Sequence, residues 1–207
     1  MKISAPERHE LFQALYFFIN FYGRNLFMNS KTKNLIILAI LTALAYVAML
    51  LIRAPFPAAS FLTYDPKDVF IVIGGFLYGP LAVIPMSVIV SLLEMPISGT
   101  GPIGLIMNVL ATCSFAFTAA LIYKYRRTIM GAITGIISGV FLMIAVMLLW
   151  NYIITPMYMN VPREIVVGML IPVFLPFNLL KGIYNAAITI LLYKRLSVIL
   201  RKLGMIN

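Results

Sequence analysis

Asn178, Lys181 and Asn185 lie in FLPFNLLKGIYNAA, a run from Phe174 to Ala187 that is otherwise almost wholly apolar. Spacings of three and four residues put them on one face of a helix, with a turn between successive groups. Side chains so arranged suit the edge of a flat molecule that presents carbonyl oxygens and ring nitrogens. An ionisable residue inside an apolar span is costly and points to function. If the span starts near residue 170, Lys181 lies about 16 Å in at 1.5 Å per residue. From that depth its stem does not reach the interface. Two partners are open to it, a ligand or a structural ion pair with Glu94 or Asp68. The acids on the outer side look too shallow to reach it, which favours the ligand. Asn185 reads better as an interhelical hydrogen bond. Pro172 and Pro176 fall in the first turns of the span, where they would loosen the helix and free backbone groups to line a cavity.

Further polar groups gather at the same depth or nearer the outside. FLTYDPKD (61–68) carries Tyr64, Asp65 and Asp68, the last well placed to cap the following helix. WNYIITPMY (150–158) brings Trp150, Asn151, Tyr152 and Tyr158 to the end of a span. The aromatics suit a membrane belt, and Asn151 needs another reason. Asn108 sits one or two turns into its span. Polar groups and rings converging at one mouth fit a small-molecule pocket better than a channel.

Catalytic signatures are missing. GTGPIG (99–104) matches GxGxxG literally, but it follows an apolar span, contains Pro102, and has Lys124 where an acid should stand about 20 residues on. No Walker ATP motif, GxSxG or HExxH occurs. His9 and Cys113 are the sole histidine and cysteine, so neither an internal disulfide nor a Cys/His zinc site can form. The sequence points to a binding or transport protein without catalytic activity or resident cofactor.

The elements that position these groups follow from composition. Of 207 residues 62% are hydrophobic and 11% charged, against about a quarter charged in soluble domains. This is a membrane protein. The net charge of +10 comes from short basic clusters between apolar runs, not from a basic stripe on a soluble module, so nucleic acid is not the partner. Six spans are expected: 34–52, 68–84, 86–97, 103–123, 130–154 and 170–193. The second and third share one apolar run, broken at Gly79-Pro80 and again at Pro85. Read as one helix, that run would leave five spans. Charge favours six. Lys2, Arg8, Arg24, Lys31, Lys33, Lys124, Arg126, Arg127, Lys194, Arg195, Arg201 and Lys202 then lie inside, and Arg53, Lys67 and Arg163 outside. That bias puts both termini in the cytoplasm. The fold class is all-α, with six transmembrane helices.

Residues 1–30 form an arm and residues 31–203 the bundle. LFQALYFFINFYG in the arm is too short to span. It either lies in the interface or precedes a true start at Met28, the reading favoured here. Arg24 and the lack of a small-residue cleavage site argue against a signal peptide. Gly131, Gly135 and Gly139 form a small-residue ridge, and Gly75 and Gly79 a second pair, both suited to close packing within the bundle. Ala39 and Ala43 in the first span suit internal packing or a docked partner helix about equally.

FLTYDPKDV, GPLAVIPMSVIVSLLE, GPIGLIMN, WNYIITPMY and LPFNLLKG together resemble the S components of energy-coupling factor (ECF) vitamin transporters, most of all the riboflavin-specific ones. The resemblance covers about 34–200. It implies a six-helix subunit in the plasma membrane of a prokaryote that binds riboflavin from outside. Uptake would need a transmembrane T component and two cytoplasmic ATPases. By position it implies flavin contacts from Leu62, Thr63, Tyr64, Asn151, Asn178 and Lys181, and docking of the T component on Ala39 and Ala43. Asn108 and Glu94 complete the candidate site. Riboflavin members often carry a lysine followed by a polar or acidic residue at the positions of Val90 and Ser91; this chain instead has Glu94. Alternatives are another vitamin or flavin-like heterocycle in the same architecture, and a free-standing membrane carrier.

Overall fold

The computed structural model describes residues 30–202, so the expectations for the N-terminal arm fall outside the described residues. Helix α1 (Ser30–Leu51) leads into a hairpin of β1 (Ala54–Phe56) and β2 (Ala59–Tyr64). Then come α2 (Lys67–Tyr78), a 3-10 turn (Pro80–Ala82) and α3 (Val83–Ser98). Helix α4 comprises Gly101–Thr112, a π-helical turn Cys113–Phe117 and Thr118–Tyr125. Helix α5 is Ile129–Met159. Helix α6 comprises Arg163–Met169, a π-helical turn Leu170–Phe174 and Leu175–Lys202.

Among the described residues, five helices are long and apolar enough to cross a bilayer. The sixth, α2, has 12 residues, about 18 Å at 1.5 Å per residue, and is shorter than the span expected over 68–84. Gly79 ends it with φ 94°, its N–H bonded to the Gly75 carbonyl. That left-handed φ suits glycine, and Pro80 cannot continue the ladder. Gly79 is therefore a cap rather than half of a packing pair. Pro85 makes no second break, because it falls in the first turn of α3, where a missing N–H costs little. Nine residues of α2 are buried, which accounts for its apolarity on every side.

The main core joins Leu41 and Ala45 of α1, Val69 to Phe76 of α2, Met86 and Val90 of α3, Phe115 and Ala119 of α4, and Ile136 and Met143 of α5. The glycine ridge packs inside the bundle as expected. A Cβ at Gly135 would lie 2.6 Å from the Ala119 carbonyl oxygen, and one at Gly139 would collide with that of Phe115. Such spacing lets backbones approach where hydrophobicity cannot drive association. Ala39 and Ala43 are exposed, while Thr42, Ala45 and Met49 turn inward.

Two differences shape the site. The first loop is an antiparallel hairpin, Ala54 opposite Tyr64 and Pro55 opposite Thr63, with a bulge before Phe56. A second cluster of Ala59, Leu62, Val166, Phe174 and Phe177 fixes this hairpin to α6. Helix α6 also starts seven residues earlier than expected, at Arg163. Pro172 does not begin the helix; it sits within the π-helical turn. A proline removes a donor and crowds the preceding turn, and a widened turn accommodates both inside a continuing helix.

Candidate functional site

Strand β2, the ends of α3, α4 and α5 and the middle of α6 enclose a cavity that opens to the outside. Leu62, Thr63, Glu94, Asn108, Asn151, Asn178 and Lys181 all line it. The structure thus brings together every candidate ligand contact except Tyr64. That residue lines a neighbouring cavity, which shares Phe177 and Lys181 with the first. There its hydroxyl donates to Asn185 Oδ1 at 3.2 Å and its ring packs edge-on to Tyr184. Burial and the nearby Asp65 push the Tyr64 hydroxyl above its usual range, consistent with its role as a donor.

The asparagines are fixed by their own helices. Asn178 Nδ2 donates to the Phe174 carbonyl at 2.8 Å. Asn151 Nδ2 donates to the Met147 carbonyl at 2.7 Å, and its Oδ1 accepts from Thr155 at 2.8 Å. A side chain held this way presents its remaining hydrogen-bonding capacity in a set direction.

Lys181 departs most from the sequence reading. Its ammonium lies 3.4 Å from Asp65 and 3.8 Å from Asp68. The acids are not too shallow, because the hairpin carries the β2–α2 junction down beside α6. Lys181 both pairs with acids and faces the cavity. Burial works against the Asp65 charge, but Lys181 and Lys67 outweigh it and hold the Asp65 carboxyl below its usual range. Asp68 forms no helix cap. Its carboxylate accepts from Thr112 at 2.6 Å and from Asn185 at 3.2 Å, so Asn185 serves an interhelical bond as expected. Glu94 pairs with Lys67 rather than with Lys181.

Sequence reasoning missed several residues around the cavity. Phe61, Met107, Met147 and Phe177 supply its apolar walls, and Arg53, Ser98 and Thr100 its rim. The Arg53 guanidinium donates to the Ile97 carbonyl at 3.4 Å, and the Ser98 and Thr100 hydroxyls are 2.8 Å apart. The expected aromatic mouth is made by Phe61 and Phe177, not by the WNYIITPMY rings. Trp150 packs on the main core, and Tyr152 lies under the Arg163 guanidinium at 5.2 Å. Lys67 is buried too, in a cluster of five charged side chains with Asp65, Asp68, Glu94 and Lys181. The density of charge in TYDPKD was its one visible signal.

This arrangement suits the binding of a small molecule. It offers rings and thioethers for a flat apolar body, and amides, an ammonium and a carboxylate for a polar edge. A sequence profile described as "ECF transporter, substrate-specific component" matches residues 33–193. The chain is 33% identical to the riboflavin transporter RibU of Staphylococcus aureus over 87% of this chain and 99% of that one. It is 30% identical to the riboflavin transporter FmnP of Bacillus subtilis over 81% and 93%. A solved structure described as the S component of a bacterial ECF transporter superposes with a TM-score of 0.70 at 36% identity, covering 82% of this chain and 98% of that one. The chain belongs to the family of ECF transporter substrate-specific components.

Proposed function

We propose that this chain captures riboflavin at the outer face of a prokaryotic plasma membrane, as the substrate-binding subunit of an ATP-driven ECF uptake transporter. The observation that carries the reading is the convergence of Asn108, Asn151, Asn178, Lys181 and Glu94 on one cavity with aromatic walls. The isoalloxazine ring system is flat and apolar across its face. Its pyrimidine edge alternates carbonyl oxygens with an N–H. Asn178 and Lys181 suit the carbonyls, and Glu94 suits a donor. Relatives named for riboflavin transport match 81–87% of the chain.

Six spans with both termini in the cytoplasm remain the best topology. The basic segments 124–128 and 194–202 then lie inside, and the hairpin and the cavity mouth lie outside. Residues 31–203 form the binding domain. ATP hydrolysis belongs to two partner ATPases, reached through a T component. Ala39 and Ala43 suit that contact, since both are exposed and lie one turn apart on α1. Small side chains there let a partner helix approach closely.

The test is to identify the small molecule carried through mild purification. Riboflavin released on denaturation, at near-stoichiometric yield, supports the proposal. A different vitamin in that position replaces riboflavin as the ligand.

A further inference from the structure

Glu94 and Lys181 line the same cavity and carry opposite charges, yet each has its ion-pair partners elsewhere. Unlike charges across a buried cavity attract strongly. Left to themselves they would close on each other and fill the positions that the polar edge of a ligand needs. Counter-charges behind the wall hold them back. Glu94 Oε2 is bound by the Lys67 ammonium, and Lys181 is held by Asp65 and Asp68. Lys67 is fully buried and forms no part of the cavity wall. Asp65 serves both cations: its Oδ2 is 3.5 Å from the Lys67 ammonium and 3.4 Å from that of Lys181. Its Oδ1 accepts from the Lys67 backbone N–H at 3.3 Å.

We propose that Lys67 is a positioning residue for ligand binding, which holds Glu94 against the wall and so keeps it apart from Lys181. The inference rests on the reading of this cavity as the vitamin site. Without Lys67, Lys181 is the one cation left among the three carboxylates of this cluster, and Glu94 turns to it across the cavity.

The experiment is a double-mutant cycle on the full chain, with Lys67→Met, Glu94→Gln and the double variant, plus Lys67→Arg. Riboflavin affinity is read by fluorescence quenching, and the ligand-free thermal midpoint is measured beside it. Lys67→Met is expected to weaken binding about 10-fold or more in the wild-type background. It should change affinity little once Glu94 is neutral. Lys67→Arg retains most of the affinity. A lysine needed only for packing would lose affinity equally in both backgrounds, and that result overturns the proposal. Should Lys67→Met fail to fold, the Glu94→Gln background still decides: a comparable loss on removing Lys67 there overturns the proposal, and little change supports it. Absence of riboflavin binding in the wild type overturns the ligand reading instead. The thermal midpoints then decide the role of Lys67, and independent losses from the two substitutions would refute it.

Discussion

The Lys181 ammonium lies 3.4 Å from the Asp65 carboxylate, tying the middle of α6 to the end of the hairpin. Both groups are buried. At that separation the pair is long for a charge-assisted hydrogen bond, which is usually about 2.7–2.9 Å, so a ligand carbonyl can share the ammonium without displacing the acid. Lys181→Ala is expected to weaken riboflavin binding at least about 10-fold. It should also lower the ligand-free thermal midpoint, because Asp65 and Asp68 lose their shared cation. Fluorescence titration and a thermal melt of the same preparation check both effects. Unchanged affinity removes Lys181 from the site.

Tyr64 and Asn151 separate two roles that looked alike in the sequence. Tyr64 is not part of the cavity lining, and its hydroxyl donates to Asn185. Tyr64→Phe should therefore leave affinity nearly unchanged and cost about 1 kcal/mol of stability, the worth of one hydrogen bond. Asn151 lines the cavity, and Asn151→Leu should weaken binding markedly. A large affinity loss in Tyr64→Phe would place its hydroxyl on the ligand after all.

Gly139 marks the closest approach of α4 and α5, against the Phe115 carbonyl. Gly139→Ala is expected to destabilise the protein by about 1–3 kcal/mol through overpacking. The measurement is the thermal midpoint in a fixed detergent. A variant as stable as wild type would mean that the two backbones can part without loss.

The order of the helices, the break at Gly79-Pro80 and the polar cavity residues Asn108, Asn151, Asn178 and Lys181 were legible in the sequence, while its apolar walls and rim were not. Polar residues in apolar runs stand out, and a membrane span has a length that composition can match. The partners of those residues were not legible. Depth counted along α6 from residue 170 puts Lys181 beyond reach of the acids. The helix begins at Arg163, and a hairpin that no periodicity announced brings Asp65 beside it. A six-residue strand interrupted by a bulge opposite Pro55 leaves little alternating pattern to read. Lys67 was counted as an outer-loop charge, since its burial depends on Glu94, 27 residues away. The glycine ridge was read correctly because close backbone packing needs small residues at helical spacing.

Ala39 and Ala43 present an exposed small-residue face on α1. Ala39→Trp should leave riboflavin affinity unchanged, because Ala39 is exposed and does not line the cavity. It should abolish uptake in vesicles holding the T component and ATPases. Retained uptake would move the docking surface elsewhere, and uptake by this chain alone would favour a free-standing carrier.

The central claim is that the cavity between the hairpin and α6 holds riboflavin. Titration of riboflavin with purified, ligand-free protein tests it most directly. Quenching of flavin fluorescence that saturates at one ligand per chain, and that is weakened by Lys181→Ala and Asn178→Ala, is the result expected. Full fluorescence retained in the presence of folded protein would contradict it.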